Sequence, residues 1–520
     1  MDSGAAAAPR AAEVVRPGAR AALALLLGIN LFNYIDRQVL AAVEPLIREH
    51  FGVSQAKMGW LATAFLVSYM VFSPLFGWLG DRFSRWMLVA VGVVLWSLAS
   101  GATGLASTFA ILLLTRCFVG IGEAAYGPVA PTILSDLYPV SIRGRILSWF
   151  YLAIPVGSAL GYTLGGGIAS MFHTWRAPFY SVVVPGLLLG ACAMFMREPR
   201  RAVASGAVAR HPSRMADYLS LLRNRSYVLD TLGMTAMTFA IGGIGFWMPS
   251  YVYEYGYKKA IDLGRVNLIF GGITVVAGFA ATLLGGWAGD RLRGRLPGSY
   301  FIVSGAGLLL GFPMLLGMLY TDFPYAWGFV FMAVFCLFFN TGPSNTILAN
   351  VTPPSVRASA FAVNILVIHA LGDAISPPVI GWISDRYDMT RGFLFVGLML
   401  LVGGVIWFLG ARFLQADTAR AEREEARGFH VVVPGVEQAT SPAASRNSPA
   451  PPAPRRARAR PRHFPPQRVS EALGRRRAVL GRAVPAPGVP RVQQPLRGAV
   501  GRALDAPEPP GAAPRRVQDV

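Results

Sequence analysis

The sequence predicts an all-α membrane protein of twelve transmembrane helices in two pseudo-symmetric six-helix halves. Three observations predict it. The chain of 520 residues is 53% hydrophobic and only 14% charged, too apolar for a soluble protein of that size. Twelve stretches of about 20 predominantly apolar residues each match the hydrocarbon core of a bilayer. Short motifs in the first six stretches also reappear, in order, among the second six.

The twelve spans fall at about 20–42, 58–80, 87–106, 109–132, 145–170, 177–196, 230–252, 266–289, 299–320, 325–349, 359–384 and 391–413. The first is expected to be retained and not cleaved as a signal peptide, because no small-residue cleavage site follows it and it carries Asp36 and Arg37. Loops assigned to the cytoplasm hold fifteen Arg or Lys, against eight on the other side. That bias puts both termini in the cytoplasm. The expected layout is an N-terminal segment 1–19, a first half 20–196, a linker 197–229, a second half 230–413 and a tail 414–520. The linker is basic and then amphipathic over 218–228 (YLSLLRNRSYV), which suggests a short surface helix.

The formal charge of +21 does not point to nucleic acid. Sixteen Arg and four acids between Ser441 and Val520 contribute +12 of it, in a Pro-, Ala- and Arg-rich tail without hydrophobic periodicity. Such a tail is expected to be disordered. It is an extension without function or, beside a membrane, a sensor of anionic lipid headgroups. Cys117, Cys192 and Cys336 lie in apolar spans at no metal-ligand spacing, as small core residues do.

Gly77–Arg82 (GWLGDR) ends span two and Gly286–Arg291 (GWAGDR) ends span eight, an offset of 209 residues. Thr132–Leu134 followed by Arg143 matches Thr346–Leu348 followed by Arg357, an offset of 214. A duplicated bundle of this kind places its solute site between the halves. In the loop motif, Gly77 and Gly286 are expected to let helices approach closely. Asp81 and Asp290, with Arg82, Arg85 and Arg291, can cap a facing helix or pair across the loop, forming a cytoplasmic latch. The plainer reading is that they fix only the turn and the topology.

The ionisable residues inside the spans carry the functional argument. Burying one costs roughly 2.5 to 3.5 kcal/mol on insertion scales, so such groups usually line a solute or proton path. Asp36 and Arg37 lie in span one; Arg116 and Glu123 lie in span four, seven residues apart and hence on one helix face. Asp36 and Glu123 are candidate proton carriers, since burial and a nearby Arg push a carboxyl in opposite directions. Arg37 and Arg116 can switch partners with them or grip an anionic headgroup. A permanent salt bridge between spans one and four is the structural alternative. His369 and Asp373, four apart in span eleven, make a second titratable pair or a satisfied core hydrogen bond. Asn340, Thr341 and Asn345 occupy the part of span ten that corresponds to Glu123, where they contact a headgroup or simply tie helices together. Tyr34, Tyr126, Trp247, Tyr251 and Tyr255 are candidate cavity contacts or interfacial aromatics. Gly157, Gly161, Gly165, Gly166 and Gly167 are expected to let span five cross a neighbour closely, and Pro155, Pro249 and Pro377 are kink candidates. No nucleotide fingerprint, metalloprotease motif or nucleophile elbow appears, so nothing supports catalysis, a cofactor or a metal.

GWLGDRFSR (77–85) together with the R-x-x-x-G-x-G-E run ending at Glu123 resembles the major facilitator superfamily over about residues 20–413. NYIDR (33–37), RCFVGIGEAAY (116–126), AIPVGSALG (153–161) and HALGDAISP (369–377) resemble the Spinster branch. NYIDR alone is also similar to a run in sugar-acid carriers. The resemblance implies the major facilitator fold and a secondary carrier of lysophospholipids or sphingosine phosphate, with proton coupling. The residues themselves leave two rivals: an organic-anion or sugar-acid symporter, and a lipid sensor that does not transport. The expected partners are protons, membrane lipids and a small-molecule or lipid substrate, for a monomer in the cell membrane.

Overall fold

A computed structural model describes residues 15–198, 221–353 and 356–431, all within the compact unit Met1–Ala439. The readings of the tail beyond residue 431, of the first fourteen residues and of linker residues 199–220 lie outside the described residues.

The apolar runs become helices. Spans one to three are Ala19–Ala42, Gln55–Arg82 and Arg85–Gly104. Span four is Phe109–Ala124 continued by Ala130–Leu137, span five is Val140–Phe172, and span six is Ala177–Ser181 with Val183–Met194. In the second half come Arg225–Tyr251, Leu263–Arg293, Ser299–Tyr320, then Ala326–Phe338 with Thr341–Val351 as span ten. Span eleven is Arg357–Ile368, a π-helical turn His369–Asp373 and Ser376–Arg386, and span twelve is Met389–Gly410. Ten of these are long and apolar enough to cross a membrane by length and composition. Spans one and four complete the twelve, and they are the two that carry the buried Asp–Arg and Arg–Glu residues.

Local chemistry sets the starts. Ser54, Ser84, Thr108, Asn224 and Asp388 each accept a backbone N–H of the first turn of the helix that follows, filling one of the donors a helix leaves unpaired. Residues 221–223 of the expected linker helix over 218–228 are helical, and Asn224 then breaks the run. It caps the N–H of Tyr227 at 3.0 Å, so Arg225–Val228 begins span seven.

Span five crosses span one along its glycine stripe. A Cβ on Gly157 would fall 2.6 Å from the Leu31 carbonyl oxygen, and one on Gly161 would fall 2.5 Å from that of Ile35. No larger residue permits that approach. One apolar core lies wholly in the first half around Leu26, Trp86, Trp96 and Phe150. The other runs through the second half and joins the first around Val39, Ile47 and Leu61.

Both termini of the helical bundle lie at one face. Inter-half hydrogen bonds cluster toward the opposite face. Asn267 donates to the Ala42 carbonyl at 3.0 Å, the Gly264 N–H donates to Ser170 at 3.1 Å, and Tyr162 donates to the Gly245 carbonyl at 2.5 Å. Arg48 pairs with Glu254 at 2.5 Å.

Candidate functional site

Between the halves lies a cavity of about 340 Å³. The first half contributes Tyr34, Arg37, Gln38 and Arg116 to its wall, and the second contributes His369 and Asp373. Most of the remaining wall is apolar, with Leu61, Phe65, Ile241 and Phe338 among its members.

Helix breaks position the charges. Span four stops at Ala124, immediately after Glu123. Glu123 does not pair with Arg116, as their shared helix face suggested, but with Arg37 of span one. The Arg37 Nη2 and Nε lie 2.6 and 2.7 Å from its Oε2. The long Arg37 side chain reaches across from span one, whereas Arg116 and Glu123 sit two turns apart. The Glu123 side chain is fully buried, and its Oε1 has no hydrogen-bond partner. Three rings surround the same guanidinium: Tyr34 and Phe65 at 4.9 Å and Tyr69 at 5.5 Å. Such contacts hold a cation without needing a second anion.

Asp36, the neighbour of Arg37 in sequence, points to the other side of span one. It takes the Ser100 hydroxyl at 2.5 Å and does not line the cavity. Arg116 does line it. Among the described residues Arg116 has no ion pair, it is 2% exposed, and its Nε has no hydrogen-bond partner. Asp36 and Glu123 are near enough to act on its charge without contacting it, and a guanidinium left without a direct partner at that depth suits an anionic visitor.

His369 and Asp373 meet as expected, with Nδ1 2.9 Å from Oδ1. Their backbone is π-helical instead of α-helical, a local departure common at functional sites. Both side chains reach the cavity.

Several candidate contacts lie elsewhere. Tyr126 is buried in the first-half core, where it donates to the Leu26 carbonyl at 2.9 Å. Trp247 is buried against span eleven and donates to the Pro377 carbonyl at 3.0 Å; its neighbour Phe246 lines the cavity instead. Tyr251 packs on Tyr255 and Phe393 near the face opposite the termini. Asn340 is buried at the break in span ten and donates to the Leu337 carbonyl just before it, and the exposed Asn345 donates to Thr341. Helical periodicity cannot distinguish a cavity-facing polar group from one that turns back on its own backbone.

In the loop motifs, Arg85 is held inside the first half by Asp136 at 2.7 Å and Glu198 at 2.8 Å. Arg82 folds over the Trp78 ring at 3.9 Å, and Asp290 accepts from the Tyr300 hydroxyl at 2.8 Å. Contrary to expectation, a Cβ added at Gly77 or Gly286 would meet nothing within 4 Å, although Gly342 approaches the Gly286 backbone. Arg291 is exposed.

Sequence reasoning missed the ring cage and a further buried acid. Phe65 and Tyr69 are four apart in span two, and that spacing was the available signal. Glu44, just beyond span one, is fully buried between the halves. The Ser250 hydroxyl donates to its Oε2, and Arg48 donates to its Oε1 at 3.0 Å. Burial pushes its carboxyl up to about 7, with Glu254 adding to the rise while Arg48 and Ser250 oppose it.

A charge-lined cavity between two repeated six-helix bundles, bordered by interrupted helices, defines a secondary transporter. The sequence profile of the Major Facilitator Superfamily matches residues 26–377. Protein spinster homolog 3 of Danio rerio is 34% identical, over 77% of this chain and 86% of that protein. Protein spinster homolog 1 of Homo sapiens is 36% identical, over 78% and 83%. The sphingosine-1-phosphate transporter of Mus musculus is 33% identical, over 76% and 77%. The chain therefore belongs to the Spinster-like branch of the major facilitator superfamily, and it is a transporter and not an enzyme. A bacterial homolog of the human lysosomal transporter Spinster, in an inward-facing and unoccupied conformation, superposes with a TM-score of 0.70 at 20% identity, covering 77% of this chain and 98% of that one. At that identity the likeness speaks for the fold alone.

Proposed function

We propose that the protein is a proton-linked carrier of a single-tailed amphiphile with an anionic or zwitterionic headgroup, working by alternating access. One observation carries this reading: Arg116 is buried, has no ion pair among the described residues, and lines a cavity whose wall is otherwise mostly apolar. A fork of N–H donors suits a phosphate or carboxylate, and the apolar wall suits a hydrocarbon tail. That a relative is named as a sphingosine-1-phosphate transporter supports the same ligand chemistry.

Proton linkage rests on Glu123 and on the His369–Asp373 pair. Protonating Glu123 would release Arg37, which could then help Arg116 hold the headgroup. Asp36, on its serine, would respond to the charge of the same cluster. The termini face is the cytoplasmic one in this reading, the protein works as a monomer in a cellular membrane, and no nucleic acid is involved.

The test uses the purified full chain. Lysolipids, sphingosine phosphate and sugar acids are compared by thermal shift at two pH values, because a ligand of the folded state raises apparent stability. Uptake into proteoliposomes with an imposed pH gradient follows. Accumulation of a sugar acid but not of an amphiphile overturns the substrate class. Binding without movement would make the protein a lipid sensor.

A further inference from the structure

The GWLGDR of span two and the GWAGDR of span eight have a third relative, Gly381–Arg386 (GWISDR), which ends span eleven. Spans two and eleven lie side by side and antiparallel. Gly381 meets Gln55, Pro378 meets Gly59, and the Ala374 carbonyl accepts from Thr63, so one chain ascends as the other descends. The copies that end these two spans therefore lie at opposite faces of the molecule.

The copy at the face opposite the termini is engaged. Asp385 accepts the N–H of Gln55 at 2.8 Å and that of Ala56 at 2.9 Å. These are the first two residues of span two, whose amides have no carbonyl of their own helix to bond. A carboxylate there also meets the positive end of the helix dipole. The glycine of the motif takes part as well, since a Cβ on Gly381 would fall 2.5 Å from the Gln55 carbonyl oxygen. Gly59 reciprocates from span two, with a Cβ position 2.4 Å from the backbone nitrogen of Pro378. At the termini face the corresponding glycine, Gly77, faces open space.

We infer that Asp385 is a positioning residue for alternating access, a latch for the face opposite the termini that alternates with the latch already expected at Asp81. In this state the copy ending span eleven holds the opposite face shut. The reason is geometric. Two stiff antiparallel helices that rock against each other close at one end as they part at the other. A carboxylate on each C-terminus can then cap its neighbour's N-terminus in only one of the two states. A contact present in a single state shifts the equilibrium by its own differential energy.

The experiment measures maleimide labelling of the full-length protein in oriented proteoliposomes, with Cys117, Cys192 and Cys336 replaced. Val43→Cys, buried under the opposite face, reports opening there, and Thr274→Cys in the cavity reports access from the termini face. In Asp385→Ala the Val43 probe should label faster and the Thr274 probe more slowly, the ratio of the two rates changing about fivefold, as a surface carboxylate on a helix N-terminus can supply. Asp385→Asn, which keeps one acceptor oxygen and the side-chain volume, should shift both rates the same way by less, and it stands in if the alanine variant does not fold. Asp81→Ala should shift both rates the opposite way. A mere loosening of the fold raises both rates together, and that result, or unchanged rates in the asparagine variant, overturns the latch. Shifts of the same sign in the Asp81 and Asp385 variants overturn the alternation.

Discussion

Spans four and ten occupy equivalent places in the two halves, and both are interrupted. Span four stops at Ala124 and resumes at Ala130; span ten stops at Phe338 and resumes at Thr341. At the first break Glu123 takes the guanidinium of Arg37. At the second, Asn340 turns back to the Leu337 carbonyl at 2.6 Å and carries no charge. The repeat has therefore kept the backbone irregularity and let the charge differ. An irregular backbone at membrane depth survives only where protein or a cavity receives it, which constrains both halves alike. Under the proposed function the charge would answer to the ligand and to the proton, and a ligand with one polar end would need it on one side.

The comparison breaks most completely at Glu123. Glu123→Gln mimics a permanently protonated acid, so accumulation driven by a pH gradient should disappear while exchange of solute across the membrane persists. Uphill uptake at the parent level, measured in proteoliposomes, would remove Glu123 from coupling. The reverse experiment places charge at the second break. Asn340→Asp places a carboxylate at a fully buried position and should destabilise the protein by a few kcal/mol, read as a lower melting temperature in detergent.

Arg116→Lys keeps the charge but loses the planar fork, so the binding constant for a phosphate-headed amphiphile should weaken about tenfold. The same loss for an uncharged amphiphile would mean that Arg116 serves packing alone.

Glu44 sharpens the comparison from outside the cavity. Its carboxyl is raised from 4.5 to about 7 in the closed arrangement, so closure takes up a proton. The stabilisation of closure is full below the unperturbed value near 4.5 and is lost as pH rises through about 7. Labelling of Val43→Cys should therefore increase severalfold over that window in the parent protein and stay flat in Glu44→Gln. The smallest effect is expected from removing residues 434–520, which follow every span and every loop motif; transport per folded molecule should be unchanged.

Span number, the repeat and the ionisable quartet were all legible in the sequence, because each depends on run length or residue type. Partnership was not. Arg116 and Glu123 share a helix face, yet Glu123 bonds Arg37 and Asp36 bonds Ser100, since helix packing rotates adjacent residues of span one toward different neighbours. Trp247 and Tyr126 read as cavity aromatics for the same reason that Phe65 was overlooked: composition says a ring is present but not which way it points. The span-eleven copy of the loop motif stood in the sequence as plainly as the other two. Its position outside the repeat concealed it until spans two and eleven were seen to lie antiparallel.

Hydrophobic length and ionisable residues at depth, by themselves, determined that this chain spans a membrane and moves something across it. The energies involved belong to single segments or single groups, and the bilayer imposes them before any helix meets another. Which carboxylate holds which cation and which side chains line the cavity were decided by the tertiary structure alone. Those outcomes depend on helix rotation and on crossings that glycines such as Gly161 and Gly381 permit. They arise from contacts between distant segments, for which the order of residues along the chain carries no distance.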